Sequence, residues 1–226
     1  MKLSKRTLDI LKNFSTINQN LYIEPGNRLY TINTQLNVVA EAFVEENFDS
    51  TICIYELTKF LGVVSLFDSP EFEFDEKSTT IHGNNNSQVK FYFCESKVIE
   101  KFMKNYGKLP KQNKNMYSFN ITQKQIDELI RAASVLQIKS ICVSKCEDGG
   151  VNVSVIDREN TTANSYTVNI PDAIVDEDAE DIFIQISLLT IMSGSYHVNI
   201  DNGNTTKWTN KDIDLKYYIA KDINKD

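Results

Sequence analysis

A chain of 226 residues, 41% of them hydrophobic and 24% charged, can bury a real core as one large domain or as two of roughly 110. Its formal charge of −7 argues against a surface that coats nucleic acid indiscriminately, and no run approaches the roughly 18 apolar residues of a membrane span. The N-terminus is basic but lacks the apolar stretch and cleavage site of a secretory leader, so the expectation is a cytosolic protein.

In chain order, residues 1–18 predict a helix that Ser4 is placed to cap, with Leu8, Leu11 and Phe14 or Ser15 about one turn apart. Lys2, Lys5, Arg6 and Lys12 against Asp9 alone leave this segment a side-chain charge of +3. Short strands follow at 21–23, 28–32 and 38–44, with Pro25-Gly26 as a turn. The stretch 51–67 is apolar and helical in its later part, where Tyr55, Phe60, Leu61 and Val64 recur at helical spacing. Further strands are predicted at 72–74, 79–81 and 89–94. Residues 97–114 then carry six lysines against Glu100, a charge of +5. This tract has three readings: a DNA contact, a site for an acidic partner, or a solvated linker. Within it, 107–116 reads as a linker between an N-terminal domain, 1–106, and a C-terminal domain, 117–226.

The second half repeats the layout. A strand at 117–120 leads into a helix whose start, Thr122 with Gln125, has the capping-box pattern, and Ile126, Leu129, Ile130, Ala133 and Leu136 form its apolar stripe. Lys124, Arg131 and Lys139 against Asp127 and Glu128 give 122–139 a charge of +1, which leaves −16 for everything outside the three basic segments. Strands are predicted at 140–144, 151–156 and 166–170, a loop with six acids at 172–181, an apolar segment at 182–192, and strands at 196–200 and 216–220. Arg6, Leu8, Asp9 and Leu11 align with Lys124, Ile126, Asp127 and Leu129 at a constant offset of 118, which favours an internal duplication. Edge strands suited to pairing with another subunit are sought at Tyr92 and Phe93 or at Val153 and Val155, with no choice between them.

No catalytic pattern is present: there is no phosphate-binding G-x-x-x-x-G-K-[ST] loop, no G-x-S-x-G elbow and no His-rich metal motif. Cys53, Cys94, Cys142 and Cys146, with only His82 and His197 besides, lack the spacing of a zinc site. The acidic loop lacks the spacing of a calcium loop, and Glu41, Glu45 and Glu46 make no convincing acid–base pair. No metal or cofactor is expected. Asn-x-Ser/Thr triplets, those beginning at Asn13, Asn120, Asn152, Asn160 and Asn204 among them, reflect composition.

The opening Met1-Lys2-Leu3-Ser4-Lys5, then Leu11-Lys12-Asn13-Phe14 and Thr16-Ile17-Asn18, resemble the N-terminus of the sliding clamps of T-even-type bacteriophages. Ile54-Tyr55-Glu56-Leu57, Phe60-Leu61-Gly62, Ser65-Leu66 and Leu136-Gln137-Ile138 extend the resemblance, while 69–115 departs most. The resemblance implies an α+β DNA-clamp fold with two similar domains per subunit, closed as a homotrimeric ring with sheets outside and helices lining a hole for duplex DNA. It implies a non-enzymatic processivity factor in the cytoplasm of the infected host cell. Its partners would be DNA without regard to sequence, the replicative DNA polymerase, an ATP-driven clamp loader, and a late-transcription sigma-like factor with its co-activator. On this reading Lys2, Lys5, Arg6, Lys12, Lys124, Arg131 and Lys139 face the DNA. A hydrophobic pocket near the domain junction, taking a client's terminal peptide, would involve Val38, Val39, Ala40, Leu109, Pro110, Tyr217, Tyr218 and Ile219. Two alternatives stay open: an interaction scaffold of the same fold without a DNA-encircling role, and an α/β enzyme whose site matches no known motif.

Overall fold

The computed structural model describes residues 1–84, 86–160 and 162–223, so Thr161 of the Asn160 triplet and the last three residues of the expected C-terminal domain lie outside it. The chain forms two compact units, Met1–Lys108 and Leu109–Asp226.

Unit 1 opens with helix α1 (Lys5–Ile17), followed by β1 (Leu21–Ile23), β2 (Gly26–Ile32), β3 (Val38–Phe48), β4 (Ile52–Ile54), α2 (Leu57–Val64), β5 (Glu71–Phe74), β6 (Ser78–His82), β7 (Gln88–Tyr92) and a one-turn helix α3 (Glu100–Met103). Every strand pair is antiparallel: β1 with β4, β2 with β3, and β5, β6 and β7 in that order. Ser4 begins α1 because its hydroxyl accepts from the Thr7 amide, which satisfies one of the donors a helix start leaves free. The helix buries Thr7, Ile10, Leu11, Phe14 and Ile17 along one face. A sequence of that period has one stable orientation, and the fully buried Phe14 alone contributes roughly 2–3 kcal/mol by leaving water. Phe60 of α2 packs edge-on against Phe91 of β7 at 5.2 Å between ring centres, joining helix to sheet. The lysine-rich tract is not wholly a linker: Ile99 and Phe102 are buried and draw residues 96–103 into helical turns.

Unit 2 comprises β8 (Asn115–Ile121), α4 (Gln123–Leu136), β9 (Ser140–Lys145), β10 (Val151–Val155), β11 (Tyr166–Ile170), β12 (Ala173–Val175), β13 (Ile182–Gln185), β14 (Tyr196–Asp201), β15 (Thr205–Asn210) and β16 (Leu215–Ala220). One antiparallel sheet runs β11-β10-β9-β13 and another β12-β8-β14-β15-β16. Tyr117, Phe119, Tyr196, Val198, Ile200, Trp208, Tyr217 and Ile219 are buried on one face of the second sheet, and the alternate residues form a polar face. The capping box is made in full, with the Thr122 hydroxyl accepting from the Gln125 amide and the Gln125 side chain accepting from the Thr122 amide.

Three expectations are corrected here. The six-acid loop contains β12, a three-residue strand that pairs with β8. Residues 205–210 form β15, which the strand reading passed over. Val153 and Val155 belong to β10, which lies between β9 and β11, so they are interior and not at an edge. Tyr92, by contrast, ends β7, the last strand of its sheet, and is 69% exposed.

The two units share a join. The Leu57 amide donates to the Gln19 carbonyl at 2.8 Å where α2 begins, and the Ile186 amide donates to the Lys139 carbonyl at 2.8 Å. From that join unit 1 builds the eight residues of α2, whereas unit 2 makes only a short 3₁₀ turn at Ile186–Leu188.

Candidate nucleic-acid and partner interfaces

At about 100° per residue, the α1 positions opposite Phe14 are Lys5, Asp9, Lys12 and Thr16, so the two lysines sit at the centre of the outward face. Lys5 is exposed and makes no ion pair among the described residues. Lys12 reaches Asp9 at 3.3 Å, a same-face pair that leaves the ammonium in solvent. Arg6 lies on the flank and reaches Glu45 at 3.2 Å, and Lys2, ahead of the helix, reaches Glu71 at 3.1 Å. These exposed pairs are weak, so the cations remain available to a stronger anion.

The helix start is held from β3. Glu46 accepts from the Ser4 amide through one carboxylate oxygen and from the Thr7 hydroxyl at 2.5 Å through the other. Partial burial pushes the carboxyl up, but these hydrogen bonds outweigh it and hold Glu46 below the usual carboxylate range. A carboxylate at a helix N-terminus is also favoured by the helix dipole.

On α4 the exposed face carries Lys124, Asp127, Arg131 and Val135. Lys124 lies 3.8 Å from Glu128, which also accepts from the Tyr166 hydroxyl at 3.2 Å. Two cations are therefore matched by two anions. Lys139 lies beyond the left-handed Gln137 that ends the helix, exposed, and shares a cleft with Arg158. Arg158, whose guanidinium stacks 4.3 Å from the Phe183 ring centre, escaped the sequence reading because it sits in a loop.

Of the pocket candidates, Val38, Val39 and Ala40 are buried in β3 of unit 1. In unit 2, Tyr217 and Ile219 face the core, and the buried Tyr217 hydroxyl accepts from the Met192 amide at 3.1 Å. Burial pushes that phenol well above its ordinary range. Tyr218 is on the opposite face, is itself only 7% exposed, and with Pro110 lines a cleft of about 220 Å³ between the segment 110–113 and the sheet. Leu109 is 37% exposed immediately before it.

Asn199, Lys207 and Tyr218 stand directly across from one another on β14, β15 and β16, with Ser118 of β8 completing the row. Asp201 at the end of β14 accepts from the Asn113 amide at 2.7 Å and from the Gly203 amide at 2.9 Å, which fixes 110–113 over the sheet. A β-carbon at residue 203 would come within 2.5 Å of the Asn113 side-chain amide, which would have to turn aside. Lys207 was missed together with β15, and Asn199, on the expected strand 196–200, lacked its partner. Asn202-Gly203 between alternating runs was the hairpin signal that would have found them.

Next to this row the Ser118 hydroxyl lies 3.2 Å from His197 Nε2, and His197 Nδ1 lies 3.2 Å from the Asn120 side-chain oxygen. The order is that of a nucleophile with its base, but the surrounding strand amides are committed to the ladder and leave no oxyanion donors. The cluster ties β8 to β14. Lys114 bonds Asp176 at 2.9 Å and Asp178 at 3.2 Å, which raises its own pKa and lowers that of Asp176. Among the described residues no His, Cys, Asp and Glu side chains gather to hold a metal ion, and no helix is long and apolar enough to cross a membrane.

No family model matches the chain. It is similar to the sliding clamp of Vibrio phage KVP40, at 24% identity over 97% of this chain and 98% of that protein. It is also similar to the sliding clamp of Escherichia phage RB69, at 24% identity over 88% of this chain and 86% of that one. Among solved structures, A. fulgidus PCNA with the C-terminal region of FEN-1 bound superposes with a TM-score of 0.71 at 10% identity, covering 97% of this chain and 96% of that chain. The H. pylori beta clamp in complex with 5-chloroisatin gives 0.69 at 13% identity; it matches 96% of this chain, which spans only 63% of its length. The chain thus has the DNA-clamp fold of antiparallel sheets and few helices, and over nearly its whole length its sequence is similar to bacteriophage sliding clamps.

Proposed function

We propose that this chain is a non-enzymatic clamp, three copies of which close into a ring around duplex DNA and tether the replicative polymerase. The observation that carries this reading is the outward face of α1, where Lys5 and Lys12 stand at the centre with Lys2 and Arg6 beside them in a chain of net charge −7. A sliding contact needs phosphate interactions that are numerous, weak and indifferent to sequence, and lysines on long stems in solvent supply them. Lys124, Arg131 and Lys139 are assigned the same role in the second half. Ring closure is assigned to the open edges: β7 and β11 each end a sheet, and joining them between copies would satisfy both rows of unpaired backbone groups. The duplicated domains are taken as 1–106 and 117–226, with 107–116 between them. Loading by an ATP-driven loader, service to a late-transcription factor and its co-activator, and residence in the infected cell's cytoplasm belong to the same proposal.

The client site is assigned to the cleft of unit 2, where Pro110 and Tyr218 meet beside Leu109. The decisive experiment is topological. The purified protein, of a mass about three times 25.8 kDa, should stimulate its cognate polymerase on a primed circle and lose that effect on an uncapped linear template. Equal stimulation on both would leave an interaction scaffold without an encircling role. Monomeric behaviour at micromolar concentration would remove the ring.

A further inference from the structure

Of the charged groups in the cleft beside Pro110, some are already committed and some are not. Lys111 and Lys207 both line it, and neither makes an ion pair among the described residues. Asp201, the carboxylate in the same lining, spends one oxygen on the Asn113 amide and the other on the Gly203 amide. The remaining polar lining is neutral, made of the amides of Gln112, Asn113, Asn115 and Asn199 with the Thr205 hydroxyl. The cleft therefore offers two ammonium groups against one amide-bound carboxylate, a surplus of one positive charge, with a set of neutral hydrogen-bonding partners beside Pro110 and Tyr218.

A wholly apolar ligand would strip water from these lysines and return nothing. A volume of about 220 Å³ is below that of clefts that enclose whole small molecules, and it is too small to admit a duplex backbone. An extended peptide fits the shape: one apolar side chain lies against Pro110 and Tyr218 while an acidic group reaches the lysines. We infer that this cleft recognises a partner peptide by its carboxylate, either an acidic side chain or a free C-terminus, held between Lys111 and Lys207. The inference rests on reading the cleft as the client-peptide site, and it adds the charge that a client must carry. Because Lys207 stands on β15 and Lys111 on the overlying segment, the carboxylate also bridges sheet and linker.

The test uses the cognate polymerase immobilised without DNA and the intact clamp in solution. K111Q/K207Q should weaken binding roughly ten- to thirtyfold at low salt and flatten its salt dependence, while K111R/K207R stays near wild type. Subunit mass and thermal midpoint of the Gln variant should match wild type, since neither side chain makes an ion pair among the described residues. L109A/P110A tests the underlying reading. If it abolishes binding while K111Q/K207Q keeps the wild-type affinity and salt slope, the inference is overturned and the client site stands. If neither pair matters, both fall. A loss in K111Q/K207Q that appears only when DNA is present would assign the lysines to phosphate and overturn the proposal. Amidating the C-terminus of a bound polymerase-tail peptide separates the two carboxylate sources: weakened binding points to the terminus, and unchanged binding with loss in an Asp/Glu-to-amide peptide points to the side chain. If neither change weakens binding, the carboxylate claim fails.

Discussion

Helices α1 and α4 occupy the same place in their two units and are built to different tolerances. α1 turns two lysines and one aspartate outward, buries Phe14 completely, and is clamped at its start by the Glu46 carboxylate. α4 turns outward two cations and two anions, leaves Val135 75% exposed, and is capped by the neutral Thr122–Gln125 box. The two units have the backbone join and the capping logic in common, and differ in charge and packing. A shared frame need not divide the work equally: α1 has the stronger field and the firmer seat.

The largest effect that would break or sharpen this contrast is on stability. Phe14→Ala should cost about 3–5 kcal/mol by opening a cavity, whereas Val135→Ala should cost under about 0.5 kcal/mol; urea unfolding checks both. Equal costs would show that α4 is covered in the assembled protein. Next comes DNA. K5A/K12A should lower affinity on the order of a hundredfold and reduce the log–log salt slope by up to about 5 across three copies, against a few-fold for K124A/R131A. Titrations at several salt concentrations decide this, and a larger loss from the α4 pair would reverse the assignment.

A smaller effect belongs to the caps. Ser4→Ala and Thr122→Ala should each cost about 1 kcal/mol, read from amide exchange in the first turn. The two caps should respond differently to acid. Since the folded Glu46 pKa lies below its unfolded value, its contribution is present above the ordinary carboxylate range and is lost as pH falls through the folded value. Protection of the α1 start should therefore decline at low pH while that of α4, with no carboxylate in its cap, does not. The smallest change is a gain: D127N/E128Q should strengthen DNA binding about two- to fivefold by uncovering Lys124 and Arg131. No change would mean α4 does not meet the phosphates.

Local rules made much of this legible. Both capped helices, most strand segments of each half and the cationic face of α1 follow from hydroxyl placement, periodicity and charge along a few residues. What escaped depended on distant neighbours. β12 is three residues among acids and becomes a strand only because β8 offers its edge. The helical turns at 96–103 need a core to receive Ile99 and Phe102. Val153 and Val155 read as an edge because nothing in their own sequence says that β11 pairs beyond them. The cleft draws Lys111, Asn199 and Lys207 from positions up to 96 residues apart, and the alternation that turns Tyr218 outward and Tyr217 inward is visible only once the strand's register is known.

Asp201 has a consequence of a mechanical kind. Its side chain anchors the incoming segment at Asn113 and the hairpin tip at Gly203, and its carbonyl takes the ammonium of Lys221 just past β16. Three separate stretches of backbone are thereby pinned at one point. Replacing the carboxylate by the isosteric amide of asparagine would keep one acceptor but give up the other, letting the gap above β15 vary in width and turning a slot of fixed aperture into a compliant one.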